Sequence, residues 1–184
     1  MQVRQTGIEG LMEIIPTVYQ DDRGWFYEFY KEDVFKKNGI DYTFLQENQS
    51  FSRKGVVRGL HMQLAPHAQA KLVSVIKGRV VDVVADLRPG SKTFGQVYYC
   101  ELDDQRHNML MVPEGFAHGF AALEDSIFHY KCSNLYHKES ETGVVFNDPQ
   151  LKVQWPVRDP ILSEKDRLLP TLDELMRKSV ISRH

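Results

Sequence analysis

An all-β sandwich or barrel is the fold class this sequence predicts, and three observations predict it. About ten short runs with strand character follow one another along 184 residues, with turn residues between them. In Val81-Asp82-Val83-Val84-Ala85-Asp86-Leu87 the odd positions are all apolar and two even positions are acidic, the period of two that gives a strand one core face. Helical patterning is confined to two short segments at the edges.

In chain order, strands are expected at residues 11–19 and 25–30, the second an aromatic run. Residues 31–37 read as a short helix stopped by Asn38-Gly39. Strands follow at 43–51 and around Arg58-Gly59-Leu60-His61-Met62-Gln63, then at 72–76 and 79–87. Between those last two, Lys77-Gly78 supplies the glycine that a tight hairpin needs at positive φ, so they are expected to pair antiparallel. Further strands are expected at 95–102, 108–112, 116–123, 127–133 and 151–155. Thr171-Leu172-Asp173-Glu174 reads as a capping box opening a C-terminal helix over about residues 171–179. No block repeats, which argues against a solenoid. With 42% hydrophobic residues and no Gly/Ser-rich or Pro-rich linker, residues 1–184 are expected to form one domain around one core.

Composition excludes several function classes. A net charge of −2 without a basic stripe argues against a nucleic-acid surface, where phosphates demand clustered Lys and Arg. No apolar run has the length of a membrane span, and Met-Gln-Val-Arg-Gln lacks the order of a signal peptide, so a cytoplasmic location is expected. The only two cysteines, Cys100 and Cys132, fall inside expected strands and read as small buried hydrophobes without a chemical role.

Two segments, Gly59-Leu60-His61-Met62-Gln63 and Pro113-Glu114-Gly115-Phe116-Ala117-His118, place two histidines on neighbouring strands, with Lys71 opening the next. They resemble the two halves of the cupin signature, in which a jelly-roll β-barrel directs side chains into its cavity. Metal-binding cupins carry His-x-His and then Glu in the first half. Here Gln63 stands at the second His and no Glu follows within three to six residues. An amide is a poor ligand for a transition metal, so no metal is expected. A histidine kept in such a cavity still transfers protons, because imidazole titrates near neutrality. His61 is therefore a candidate general base, set against the plain reading of a hydrogen-bonded core histidine.

A longer series of motifs is more specific: Arg23-Gly24-x-Phe26-x-Glu28, Gln46-x-Asn48-x-Ser50, Arg58-Gly59-Leu60-His61, Gln69-x-Lys71, Asp82 with Asp86-x-Arg88-x-x-Ser91-x-Thr93-Phe94-Gly95, Pro113-x-Gly115-x-Ala117-His118-Gly119-Phe120, Tyr130-Lys131, Asn147-Asp148-Pro149, Trp155-Pro156 and Leu162-Ser163-x-x-Asp166. In this order and at these spacings, from about residue 10 to 170, it closely resembles the dTDP-4-dehydrorhamnose 3,5-epimerase family. The resemblance implies a cupin-type jelly-roll homodimer that inverts C3 and C5 of a dTDP-linked 4-keto-6-deoxyhexose without metal or organic cofactor. By the same resemblance His61 is the base, Asp166 its orienting carboxylate, Lys71 the cation at the C4 oxygen and Tyr130 the opposite-face acid. Arg58 and His118 contact sugar or phosphates, and Tyr136 stacks on thymine. Gln46 and Asn48 bind within the site, while Arg23, Phe26 and Glu28 reach the neighbouring subunit's nucleotide through an exchanged N-terminal strand.

Each role has a plainer counterpart in the residues alone. Ser163 to Asp166 also fits a capping box, with the carboxylate taking a backbone N–H. Lys71 also reads as a solvated strand-end lysine, Tyr130 as an amphipathic core residue, His118 as a turn-end histidine and Arg58 as a surface charge. His67 and His129 depart from the family pattern and bear on the extent of epimerisation. The rival readings are an epimerase inverting only C3 or only C5, and a non-catalytic nucleotide-sugar-binding cupin.

Overall fold

Among the residues that the computed structural model describes, 1–181 for the backbone and 1–177 for side chains, the elements in chain order begin with β1 (Gln2–Gln5), β2 (Met12–Ile15), β3 (Tyr19–Asp21), β4 (Gly24–Phe26) and α1 (Glu32–Lys37). β5 (Gln46–Ser52), β6 (Val57–Gln63), β7 (Lys71–Lys77), β8 (Arg79–Asp86) and β9 (Val97–Asp103) follow. The chain closes with β10 (Met109–Val112), β11 (Phe116–Ala122), β12 (Ser126–Cys132), β13 (Glu141–Gly143), α2 (Glu164–Arg167) and α3 (Leu172–Ile181). No helix among the described residues is long and apolar enough to cross a membrane.

The strands form a six-stranded sheet, ordered β1-β2-β10-β7-β12-β5, and a five-stranded sheet, ordered β13-β6-β11-β8-β9, with β3 and β4 as a separate hairpin. Pairing is antiparallel in both sheets, and their inner faces meet in one apolar core. Val73, Val75, Leu110 and Phe128 come from the first sheet, and Val84, Leu102, Phe116 and Phe120 from the second. This is the jelly-roll barrel of the cupin type. Outside the five-stranded sheet, Leu172 and Leu175 of α3 cover Leu60, Val83 and Ala85. Outside the six-stranded sheet, Phe35 of α1 covers Ile14, Leu72 and Met109.

Those outer layers change the reading of β8. Both its faces are buried: Val80, Asp82 and Val84 have the parity that points inward, and Val83 and Ala85 face α3. Asp82 is therefore an inward carboxylate instead of a solvated one. β7 and β8 do not pair as the Lys77-Gly78 signal suggests, since they lie in different sheets. Gly78, at φ +85°, carries the chain from one sheet to the other, and a Cβ there would lie 2.4 Å from Asp125 O. The glycine was required for this close approach and not for a hairpin.

Three strand boundaries also differ. The 11–19 run breaks after Ile15, where Pro16 has no N–H to give a ladder. The 25–30 run is a strand only to Phe26, and Tyr27 leaves it to stack on His107 at 4.7 Å. Residues 151–155 form no strand. Lys152 has φ +49°, incompatible with extended backbone, and Trp155 Nε1 donates to Phe146 O at 2.6 Å. β1 and β13 lack the apolar alternation that marks a strand. The C-terminal capping box is present, with Thr171 N donating to Glu174 Oε2 at 2.8 Å and Glu174 N to Thr171 Oγ1 at 3.3 Å.

β13 sits so close to β6 that a Cβ at Gly143 would lie 1.8 Å from Leu60 O, and Gly143 is the register partner of His61. Gly143→Ala is expected to push β13 off β6 and to cost about 2 kcal/mol or more of unfolding free energy, read by urea denaturation. A variant as stable as its parent would contradict this packing.

Candidate active site

Along β6 the side chains of Leu60 and Met62 pack outward under α3, so His61 and Gln63 point into the barrel. His61 Nε2–H donates to Asp166 Oδ1 at 2.6 Å, which leaves Nδ1 as the nitrogen with a free lone pair. Asp166 lies on α2 and is buried. Its backbone N–H donates to Ser163 Oγ at 3.1 Å, so the helix cap exists, while the carboxylate turns to His61 and the Gly59 N–H. Cap and dyad therefore coexist. Burial pushes the Asp166 carboxyl up, but the His61 bond, with Ser163 and Gly59, outweighs it and holds the group below its ordinary range.

The facing sheet supplies the other polar groups. Lys71 opens β7 and Tyr130 lies on β12, and a cavity of about 320 Å³ brings both together with His61, Gln46, Asn48 and Tyr136. Lys71 thus stands across the cavity from His61, in the other sheet, not on a strand beside the histidines as its sequence position suggested. Burial lowers the Lys71 ammonium pKa, with Cys132, Asp82 and Glu141 pulling it back up. Burial raises the Tyr130 phenol, keeping it protonated at neutral pH. Tyr136 is half-exposed at the mouth, and its hydroxyl donates to Glu141 Oε2 at 2.7 Å.

His118 and His61 are register partners, so their side chains leave the sheet on one face. His118 does not line the cavity. It is buried beneath it, with Nε2–H donating to Asp82 Oδ2 at 2.8 Å, while Asp82 Oδ1 has no hydrogen-bond partner. Arg58 also lies off the cavity, with Nε donating to Ser52 Oγ at 3.0 Å and a terminal nitrogen to Phe51 O. Arg23, Phe26 and Glu28 are on or just beyond the β3–β4 hairpin, away from this cavity, and Arg23 pairs with Asp21 at 2.5 Å.

Several residues here had no role assigned to them from the sequence. Asp82 was legible as an acidic position in an alternating strand and as a member of the motif series, with no role attached to it. Glu141, on the unpatterned β13, lines the cavity and pairs with Lys165 at 2.6 Å. Cys132 forms part of the cavity wall. His129 faces away from Tyr130, toward Glu47 at 3.4 Å and Phe29, so it does not touch Tyr130's side of the sheet. His67 stacks on His137 at 3.7 Å. Among the described residues, no group of three or more His, Cys, Asp or Glu is placed to hold a metal.

Comparison with known proteins places this geometry in context. Residues 5–174 match the dTDP-4-dehydrorhamnose 3,5-epimerase family. A dTDP-4-dehydrorhamnose 3,5-epimerase from Methanothermobacter thermautotrophicus is 46% identical over 167 residues, covering 89% of this chain and 90% of that one. A crystal structure of the Elizabethkingia anophelis epimerase superposes with a TM-score of 0.90 at 47% identity, over 95% of this chain and 97% of that one. A dTDP-6-deoxy-D-glucose-3,5-epimerase from Legionella pneumophila, solved in complex with dTDP-4-keto-L-rhamnose, gives a TM-score of 0.89 at 42% identity, over 94% and 93% of the two chains.

The His118–Asp82 pair yields a pH-dependent prediction. Burial raises the Asp82 carboxyl above its ordinary range, while His118 and Lys71 pull it down. An acid whose folded pKa lies above its unfolded value stabilises the fold at low pH and loses that contribution as pH rises. Removing His118 removes one downward pull. His118→Ala is therefore expected to lose about 3 kcal/mol at pH 8, where an unpaired carboxylate is left buried, and clearly less at pH 5, where Asp82 takes up a proton. Denaturant unfolding at both pH values measures this, and an equal loss at both would contradict it.

Proposed function

The chain belongs to the dTDP-4-dehydrorhamnose 3,5-epimerase family, and from that membership we propose that it inverts C3 and C5 of dTDP-4-keto-6-deoxy-D-glucose, making the precursor of dTDP-L-rhamnose in the cytoplasm. The observation that carries this reading is the origin of the two proton-transfer groups. His61 comes from one sheet and Tyr130 from the sheet facing it, so a sugar between them meets a base on one side and an acid on the other.

The C4 ketone acidifies the hydrogens on both C3 and C5. His61 Nδ1 removes each in turn, since Asp166 holds Nε2 as the protonated nitrogen. Negative charge gathers on the C4 oxygen, where the Lys71 cation stabilises it more strongly for being shielded from water. Tyr130, kept protonated by burial, returns a proton to the opposite face and completes the inversion. Neither step needs an electron acceptor.

For the nucleotide, Tyr136 offers an aromatic face at the mouth for thymine, and Gln46 and Asn48 line the wall beside it. His118 lies beneath this space, tied to Asp82, and Arg58 beside it, tied to β5, so the contacts with sugar and phosphates rest for both on the family resemblance. Trp25 and Phe26 are 58% and 64% exposed near Arg23, and aromatics so exposed on one hairpin favour burial against a second subunit. A homodimer exchanging these arms brings Arg23, Phe26 and Glu28 to the partner's nucleotide. Gln63, where metal cupins carry a ligand, has its amide engaged by three backbone groups, which favours a reaction without metal or other cofactor.

With substrate in D₂O, the enzyme is expected to place deuterium at both C3 and C5. His61→Asn should slow exchange at both carbons by a factor of about 10² or more. Tyr130→Phe should retain exchange but lose inversion, because His61 returns a deuteron to the face it came from. Normal inversion by Tyr130→Phe, together with exchange by His61→Asn, would overturn the assignment.

Activity is expected to survive exhaustive dialysis against EDTA, and a loss restored by a divalent metal would refute the metal-free reading. Arg23→Ala should raise KM with kcat nearly unchanged, since nucleotide contacts are equal in ground and transition states. Steady-state kinetics showing the reverse pattern would remove Arg23 from the nucleotide site.

A further inference from the structure

After β12 ends at Cys132, residues 134–137 run along the cavity mouth outside any strand, and Tyr136 is among them. Four consecutive residues there have a backbone group held by a glutamine side chain. Gln69 Nε2 donates to Asn134 O at 2.8 Å, and Gln63 Nε2 to Leu135 O at 3.2 Å. Tyr136 N donates to Gln46 Oε1 at 2.8 Å, and His137 N to Gln63 Oε1 at 2.8 Å. The amides do what a neighbouring strand would otherwise do, and they do it from the cavity side, since all three glutamines line the cavity.

Gln63 is the centre of the arrangement. It is buried, and its second Nε2 hydrogen goes to His67 O at 2.6 Å, so both amide hydrogens and the carbonyl are in use. It thereby ties the 64–68 turn to the 134–137 segment. The side chains of the same two residues close the join, the rings of His67 and His137 stacking at 3.7 Å and 13°. Tyr136 gains a fixed backbone on both sides, and its hydroxyl is tied to Glu141.

We infer that Gln63, with Gln69, is a positioning residue for nucleotide binding, acting through the backbone that carries Tyr136. The inference rests on the proposed function, in which Tyr136 stacks on the base. Stacking on a base is worth roughly 10- to 100-fold in affinity, and a ring already held in place spends none of that on being ordered. Gln63 therefore serves substrate affinity, two residues along the strand from a base that serves turnover.

The test uses full-length protein, dTDP as the probe, and a double-mutant cycle. Gln63→Glu is nearly isosteric but turns a carboxylate oxygen toward two carbonyls, those of His67 and Leu135. It is expected to weaken dTDP binding by calorimetry about 10-fold and to raise KM in step, with kcat within about 3-fold of the parent. In a Tyr136→Ala background the same change should alter dTDP affinity by less than about 2-fold, because the ring it positions is gone. Gln69→Leu, which removes one bond instead of two, is the milder variant should Gln63→Glu fail to fold, and its effect should likewise vanish with Tyr136. Equal weakening in both backgrounds, or a fall in kcat at unchanged KM, would overturn the inference. Wild-type protein that binds no dTDP would overturn the functional reading first, and this assignment with it.

Discussion

The hydrogen bond between His61 and Asp166 joins residues 105 positions apart, and the chemistry proposed for the cavity depends on its geometry. A carboxylate at Nε2 fixes which ring nitrogen carries the proton and supports the charge that develops when the ring takes a second one. Asp166 stays in place because its helix is secured twice over. Ser163 caps α2, and just before it Ile161 is pinned to the start of β6, with Val57 N donating to Ile161 O at 3.0 Å and Ile161 N to Gly55 O at 2.9 Å. The late segment of the chain is thus fastened to the strand that carries His61. A displacement of α2 would remove the orienting group without touching His61.

The barrel's second contribution is to set polar groups facing one another in a confined space. Buried polar groups cost free energy unless they meet partners, and most of those around the cavity do. His61 has Asp166, His118 has Asp82, and Glu141 has both Lys165 and Tyr136. Lys71 is left in tension, its pKa lowered by burial and raised by Cys132, Asp82 and Glu141. An anionic oxygen arriving beside it would relieve that tension. In the proposed mechanism this favours the enolate over the neutral ketone.

Much of this was legible in the sequence, for reasons that differ by element. The cores of β8, β11 and β12 were readable because apolar content and turn residues bound them, and the capping box of α3 because its chemistry is local. The supposed hairpin at Gly78 was misread because a glycine announces a positive φ without saying whether the chain reverses or passes to another sheet. Residues 151–155 looked like a strand by composition, yet Lys152 adopts a left-handed conformation that no pattern announces. At the site, His61 and Asp166 were connected only through resemblance, since periodicity cannot link residues so far apart. Asp82 was visible only as an acidic strand position and a motif member, and Glu141 not at all, because a carboxylate inside a barrel and one on its surface look alike until the second sheet and β13 are in place.

The most direct test of the account is the protonation state of the His61 ring, observed by ¹⁵N NMR in protein labelled at histidine. The expected result is a ring that carries a proton at Nε2, with that N–H shifted downfield by its bond to Asp166 and lost as a distinct signal in Asp166→Asn. A His61 ring protonated at Nδ1, or one whose signals do not change in Asp166→Asn, would contradict it.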